Sequence, residues 1–444
     1  MFTMFINAFK VKDIRKKLFF TFLCLIVIRI GSMIPCPGVT SEAVKYMNSL
    51  SSDLGFISVL TGGSLEQLSI FALNVSPYIT SSIIMQLLTI AIPSLAELQK
   101  DGETGRKKIA EYSRYLTVVL ALIEGTAIAI GFSNQNGYLV NSKPITIAII
   151  VLAFTAGSAF LMWLGENITE RGVGNGISII LLINIVSGLP RSFVQIFQQF
   201  VTDKKDQPVK MIIALIIIIA IILITLVLVV LLQDAERKIA VQYSKKMQGR
   251  KLVGGNSSFI PLKVNTAGVI PVIFAASIFQ FPTIISSFFG VRGNAGGNLW
   301  EKILYGCNTS NWFNFGSGKK FAFPIGAVVY VLMILFFAYF YTSVTFNPIE
   351  VSNNMKKDGG FIPGIRPGKP TTDYLVKVLN YIVLIGAIGL SIVALIPIIC
   401  GGAFKITLGF GGTSLIIVVG VILETMKQIE SQLLVRHYKG FLND

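Results

Sequence analysis

The chain is poor in the residues that most catalytic chemistry needs. It has one histidine, His437 near its end, among 444 residues. One imidazole there supplies neither a metal cage nor the base of a nucleophile pair. The four cysteines, Cys24, Cys36, Cys307 and Cys400, are scattered without metal spacing or a paired framework. No phosphate-binding loop stands out. Gly102-Glu-Thr-Gly105-Arg-Lys-Lys has the wrong spacing and no strand before it, and Gly172-Val-Gly174-Asn-Gly176 is a lone glycine cluster opening a helix. These absences exclude an ATPase and give no cofactor to expect; the chain reads as a non-enzyme. Charge is scarce too, at 14% of residues, with 22 acidic against 38 basic.

What is present is apolar. Hydrophobic residues make up 53% of the chain and the mean hydropathy is +0.71. A soluble domain of this length would need charge to cover its surface, so lipid must cover much of this one. A helix needs roughly 20 apolar residues to cross the hydrocarbon core. Residues 211–232, 144–165 and 323–344 are uncharged over that length, and 18–33, 115–132, 375–397 and 413–434 carry few charges. Three further segments contain proline: 74–93 with Pro77, 176–200 with Pro190, and 266–289 with Pro271 and Pro282. Proline removes a backbone donor, so kinks are expected there, tolerated where protein or a cavity re-satisfies the backbone. Ten spans follow. The basic amino-terminus feeds an apolar run without a small-residue cleavage site, so the first span reads as retained.

Lysine and arginine set the orientation. The termini and alternate loops on one side hold 26 of them and the loops on the other side 11. The richer side faces the cytoplasm by the positive-inside rule, with both ends there, as in a multi-pass plasma-membrane protein. Charges inside spans are few (Arg29, Glu124, Glu424), although each costs roughly 2.5–3.5 kcal/mol near a helix centre. That scarcity weighs against an ion-coupled small-solute transporter, the main rival reading, without removing it; an insertase or scaffold without a sealed pore is a second rival. Between Pro37 and Asn74 the run from Phe56 to Leu73 is too polar in its middle to span. It reads either as a re-entrant half-helix lining a cavity or as an interfacial helix.

Two cytoplasmic loops are long and basic. Loop 233–265 holds Arg237, Lys238, Lys245, Lys246, Arg250, Lys251 and Lys263, and loop 346–377 is dense in turn residues around Arg366. Topology alone does not require such length. A structured docking surface does, for an RNA-rich or acidic partner.

Four stretches carry a family resemblance: Phe361-Ile-Pro-Gly-Ile-Arg366-Pro-Gly, Lys263-Val-Asn-Thr-Ala-Gly-Val-Ile-Pro271, Phe410-Gly-Gly-Thr-Ser-Leu415 and Met162-Trp-Leu-Gly-Glu-Asn-Ile-Thr-Glu-Arg-Gly-Val-Gly-Asn-Gly-Ile-Ser178. With Arg29-Ile-Gly-Ser, Ile34-Pro-Cys-Pro-Gly38 and the stretch from Ser69 to Leu88, they resemble the SecY family, channel subunits of the bacterial protein translocase. The similarity spans essentially the whole chain in register.

The resemblance implies an all-α polytopic membrane protein of ten helices in two pseudo-symmetric five-helix halves around a central pore. The halves would be residues 1–200 and 201–434, followed by a cytoplasmic tail, 435–444, with a re-entrant plug at about 56–71. No internal sequence repeat shows this symmetry. Helices 2 and 7 would form a lateral gate that releases membrane segments and signal peptides into lipid. Val75, Ile79, Ile177, Leu181, Ile273 and Ile417 would form the pore ring, Val75 and Leu181 departing from the commoner isoleucine. Arg366, with Arg237, Lys238, Lys245 and Arg250, would dock the motor ATPase SecA or the ribosome with its nascent chain. SecE and SecG would be companion subunits. Asn74 stands where the family commonly has glycine at the plug-to-gate hinge. The implied function is passage of unfolded secretory polypeptides, driven by these partners.

Overall fold

The computed structural model describes residues 9–48, 60–133, 137–141, 143–197, 208–243, 246–248, 251–253, 257–288, 297–307, 312, 325–404 and 412–440. Each of the ten apolar segments carries a helix: α1 (Lys12–Met33), α2 (Ser76–Ala91), α4 (Glu103–Ser133), α5 (Pro144–Arg171), α6 (Gly176–Phe197), α7 (Pro208–Asp234), α8 (Ile270–Phe288), α10 (Ile325–Thr345), α12 (Lys369–Phe404) and α13 (Gly412–Gly440). Shorter helices are α3 (Pro93–Lys100), α9 (Leu299–Cys307) and α11 (Pro348–Lys357). Among the described residues, four helices are by themselves long and apolar enough to cross a membrane, five if the bent pair α2–α3 is one span. Many large apolar side chains on the ten helices face outward, among them Phe19, Leu152, Trp163, Leu223 and Phe336. That outward greasiness suits lipid, not water.

The proline expectations hold only in part. Pro77 lies in the first turn of α2, where its missing N–H would be unpaired in any case, and Pro271 sits likewise at the start of α8. The sharp bend comes instead at Ile92–Pro93, where α2 and α3 meet at 106°. Pro190 and Pro282 do lie inside α6 and α8.

Helices of the first part pack among themselves, α2 on α4, α4 on α5, and α5 on α6 and α1. Those of the second part do the same, α8 on α10, α10 on α12, and α13 on α7 and α12. The two sets join where α6 meets α13 and α4 meets α8.

The all-α expectation needs amendment on one face. Glu236–Tyr243 (β1), Lys246–Gln248 (β2), Lys251–Val253 (β3) and Ser257–Lys263 (β4) form a hairpin out of the first basic loop, with β1 antiparallel to β4 from Glu236↔Lys263 to Gln242↔Ser257. Gly360–Phe361 (β5), from the second basic loop, pairs with the far end of β1 through Gln242↔Phe361. Residues 238–242 alternate one side chain out and one in: Ile239 and Val241 are buried and Lys238, Ala240 and Gln242 exposed. Period-two alternation is the pattern of a half-covered strand. A loop surface with that pattern is built, not slack.

Candidate functional site: an apolar waist and a basic display

The six aliphatic residues singled out in the sequence come from four helices and meet in one cluster. Val75 precedes α2 and Ile79 follows one turn in; Ile177 and Leu181 share a face of α6; Ile273 stands on α8 and Ile417 on α13. Val75, Leu181, Ile273 and Ile417 are buried, and Ile79 and Ile177 are half-buried against them. Spacings of four residues, 75 to 79 and 177 to 181, put each pair on one helical face. Glycine brings α6 in close: a Cβ on Gly165 would lie 2.5 Å from Cδ1 of Ile177, and one on Gly176 would collide with the Gly165 carbonyl. Such a cluster offers no hydrogen bonds. It can exclude water and ions by dewetting and part around a chain without selecting its side chains.

Sequence reasoning missed two contributors, Leu60 and Phe71, which reach the same cluster from the segment that enters α2. The only sequence sign was their place in an apolar-polar run between spans. The half-helix expected there is mostly absent: among the described residues only 60–61 are helical and 62–75 wind through turns, while 56–59 lie outside the described residues. The segment is nonetheless tightly held. Cys36 N–H donates to the Leu68 carbonyl at 2.9 Å and Ile70 N–H to that of Ile34 at 3.0 Å. The Ser64 hydroxyl donates to the carbonyls of Thr61 at 2.8 Å and Phe71 at 3.0 Å. Burial pushes the Cys36 thiol up to about 12, which keeps it neutral and unreactive beside this segment.

Asn74 ends the segment at φ +52°, in the left-handed region. Glycine adopts that region freely, and asparagine is among the few other residues that tolerate it. Its side chain repays the strain locally. The amide oxygen accepts from Val75 N–H at 2.8 Å, the amide nitrogen donates to the Thr61 carbonyl at 3.3 Å, and the Ser158 hydroxyl donates to the Asn74 carbonyl at 3.0 Å.

The basic candidates lie apart, on the sheet-bearing face. Arg237 and Lys238 are exposed on β1, Lys238 3.5 Å from Glu236 in a solvated pair. Arg366 is exposed on a turn whose flanks are pinned. Ile362 and Ile365 pack with Ile239 and Val241 of β1, Leu262 of β4 and Leu375 of α12. Gly364 and Gly368 take φ of +82° and +102°, and the Thr371 hydroxyl donates to the Arg366 carbonyl at 2.8 Å. Upstream, Asn347 caps α11, accepting from Ile349 N–H at 3.2 Å. The structure thus unites Arg237, Lys238 and Arg366 on one three-stranded unit. Lys245 and Arg250 lie outside the described residues.

Known proteins resemble the chain in sequence and in fold. The SecY family profile matches residues 69–426. Protein translocase subunit SecY of Halalkalibacterium halodurans is 43% identical over 446 residues, covering 100% of both chains, and that of Bacillus subtilis is 43% identical over 451 residues with the same coverage. Among solved structures, one described as a protein conducting channel aligns with TM-score 0.59 at 18% identity, over 94% of this chain and 92% of its own. Sec61 in the canine ribosome-channel complex from the endoplasmic reticulum aligns with TM-score 0.60 at 18% identity over the same shares.

Proposed function

The chain belongs to the SecY family and is a protein-conducting membrane channel, and we propose that its gate is the aliphatic cluster described above, with the segment ahead of α2 as its plug. The observation that carries this reading is the convergence of six residues from four helices, all aliphatic, in one cluster that the entering segment joins through Leu60 and Phe71. In the idle channel the ring blocks ions by dewetting and the segment covers one side of it. A passing polypeptide displaces the segment and spreads the ring. The channel transfers no chemical group. It lowers the barrier to moving a polar chain across lipid, and the energy comes from partners.

Those partners are SecE, SecG, the SecA ATPase, and the ribosome with its nascent chain. Arg366, Arg237, Lys238, Lys245 and Arg250 serve motor and ribosome docking, basic side chains against acidic protein or phosphate. The ten helices span the membrane with both ends cytoplasmic, as two halves, 1–200 and 201–434, followed by the tail 435–444. The contact between α4 and α8 and the packing of Ile79 and Ile83 of α2 in one cluster with Val272 and Phe274 of α8 support a lateral gate on that side, through which signal peptides and membrane segments reach lipid.

The test is reconstitution with SecE and SecA in vesicles, followed by ATP-dependent protease protection of a secretory precursor. Protection that requires SecA, and capture of the precursor by crosslinkers at Ile79 or Ile273, are expected. Ion- or solute-driven flux by this chain alone, without precursor capture, would sink the channel reading in favour of a transporter.

A further inference from the structure

The ring is bordered by two polar side chains that its packing leaves unpaired. Asn184 is fully buried, and neither its amide nitrogen nor its amide oxygen has a hydrogen-bond partner among the described residues. Ser414 is 1% exposed, and its hydroxyl is likewise unpartnered there. Buried polar groups are almost always satisfied, and one left without a partner loses its hydration for nothing in return. Two such groups need a reason.

The register of α6 and α13 puts them at about the same level. The helices run antiparallel: a Cβ on Gly174, just ahead of α6, would sit 3.0 Å from Oγ1 of Thr425 on α13, while Leu181 and Ile417 share the ring cluster. Stepping three residues onward from Leu181 and three back from Ile417 reaches Asn184 and Ser414, about one helical turn beyond the ring on the same side. The entering segment covers this level. A Cβ on Gly62, at φ +61°, would fall 2.7 Å from the Asn184 carbonyl oxygen, so the backbone of Gly62 lies directly on α6 at Asn184.

We propose that Asn184, with Ser414 at its level, is a binding site for the main chain of the translocating polypeptide, uncovered when the segment around Gly62 moves away. The inference rests on reading the aliphatic ring as the constriction. A primary amide carries one acceptor and an N–H donor pair, the complement of a peptide group. It reads no side chain, which suits a channel that passes many sequences. A carboxylate or an ammonium in its place would sort chains by charge. The ring strips water from the passing backbone, and the next level returns hydrogen bonds to it. One amide and one hydroxyl hold a chain weakly enough to release it, as conduction requires.

The test uses the channel reconstituted with SecE, SecG and SecA. ATP-dependent protection is timed for two precursors that differ in one stretch, ordinary in the first and proline-rich in the second, where main-chain N–H groups are missing. Asn184→Leu keeps the volume and removes donor and acceptor. It is expected to slow the ordinary precursor about three- to tenfold, the scale of one or two net hydrogen bonds, and the proline-rich one distinctly less. Resting ion leak should not rise. Ser414→Ala, too small a change to disturb packing, should slow the ordinary precursor about twofold. Equal slowing of both precursors, unchanged rates, or a rise in leak with Asn184→Leu would overturn the proposal, the last because it would make Asn184 a brace of the closed state. Failure of the ring reading is separable: it would appear as unchanged leak in Ile79→Asn and Ile273→Asn, with Asn184 intact.

Discussion

The waist and the basic face solve opposite problems with the same residues. Both rest on isoleucine, leucine and valine. In the proposed gate these side chains would be the working surface, packed in one cluster from α2, α6, α8 and α13 and useful because they bind nothing. At the basic face Ile239, Val241, Leu262, Ile362 and Ile365 form an apolar knot, and the working groups of the proposed docking surface are the cations displayed around it. A defect at the waist should therefore alter the seal and leave partners attached. A defect in the display should uncouple partners and leave the seal alone. Damage to the knot should mimic damage to the display.

The largest effect is expected from Arg366→Glu. The turn holding it is fixed through backbone groups and through Ile362 and Ile365, none of which the substitution touches. SecA-dependent protection of a precursor should fall at least about tenfold, since reversing one charge converts an attraction at a docking surface into a repulsion. Membrane insertion and SecE association should be unchanged. Normal secretion by this variant would break the division of labour. Next comes the seal: Ile79→Asn or Ile273→Asn should raise resting ion leak on the order of tenfold by hydrating the dewetted waist. Leak is read as dissipation of an ion gradient in vesicles, while SecA binding stays at the original level.

The knot gives a third, smaller effect. Leu262 is 2% exposed in it. Leu262→Ala should weaken the sheet by about 2–4 kcal/mol, the usual cost of truncating a buried leucine. Faster protease cleavage within 236–263 and weaker SecA binding, with no change in leak, would follow. A rise in leak would show that the two regions are coupled.

The helices were legible because their determinants are local, long runs with little charge; the six ring candidates came from the family resemblance, Ile177 inside a motif stretch and Leu181 and Ile417 just beyond two of them. The sheet was not. Val-Gln-Tyr after Ile-Ala in β1 does alternate, but its partner strands lie about 20 and 120 residues downstream, and pairing at that distance leaves no periodicity in the run itself. The bend at Pro93 was misplaced onto Pro77 because proline type is visible in sequence and position within a helix is not. Leu60 and Phe71 were missed for a related reason: turns, unlike helices, give no repeating face from which to read what points inward. Asn74 was recognised as a departure from glycine, yet only its φ of +52° shows why asparagine serves there.

Asn74 and Cys36 bracket the entering segment and give the finest test of the comparison. Asn74→Gly keeps the backbone conformation and removes the side-chain bonds to Val75 and Thr61, so it should loosen the segment by about 1–2 kcal/mol. Asn74→Ala should cost more, because alanine also meets the left-handed strain. Cys36 reports the loosening directly once Cys24 is replaced by alanine and Cys307 and Cys400 by serine. Its raised pKa means that at pH 8 almost all of the thiol is protonated, and it is buried against the chain that carries Leu68. Alkylation should be slow in the idle channel, faster in Asn74→Gly, and fastest with a precursor engaged. Because burial holds the proton on in the native state, the stabilisation from the neutral thiol is complete below pH 9 and declines as pH rises towards 12, so labelling should accelerate over that range by more than thiol ionisation in a free peptide would give. If labelling is equally slow with and without an engaged precursor, the segment does not leave its seat, and the waist must open with its cover in place.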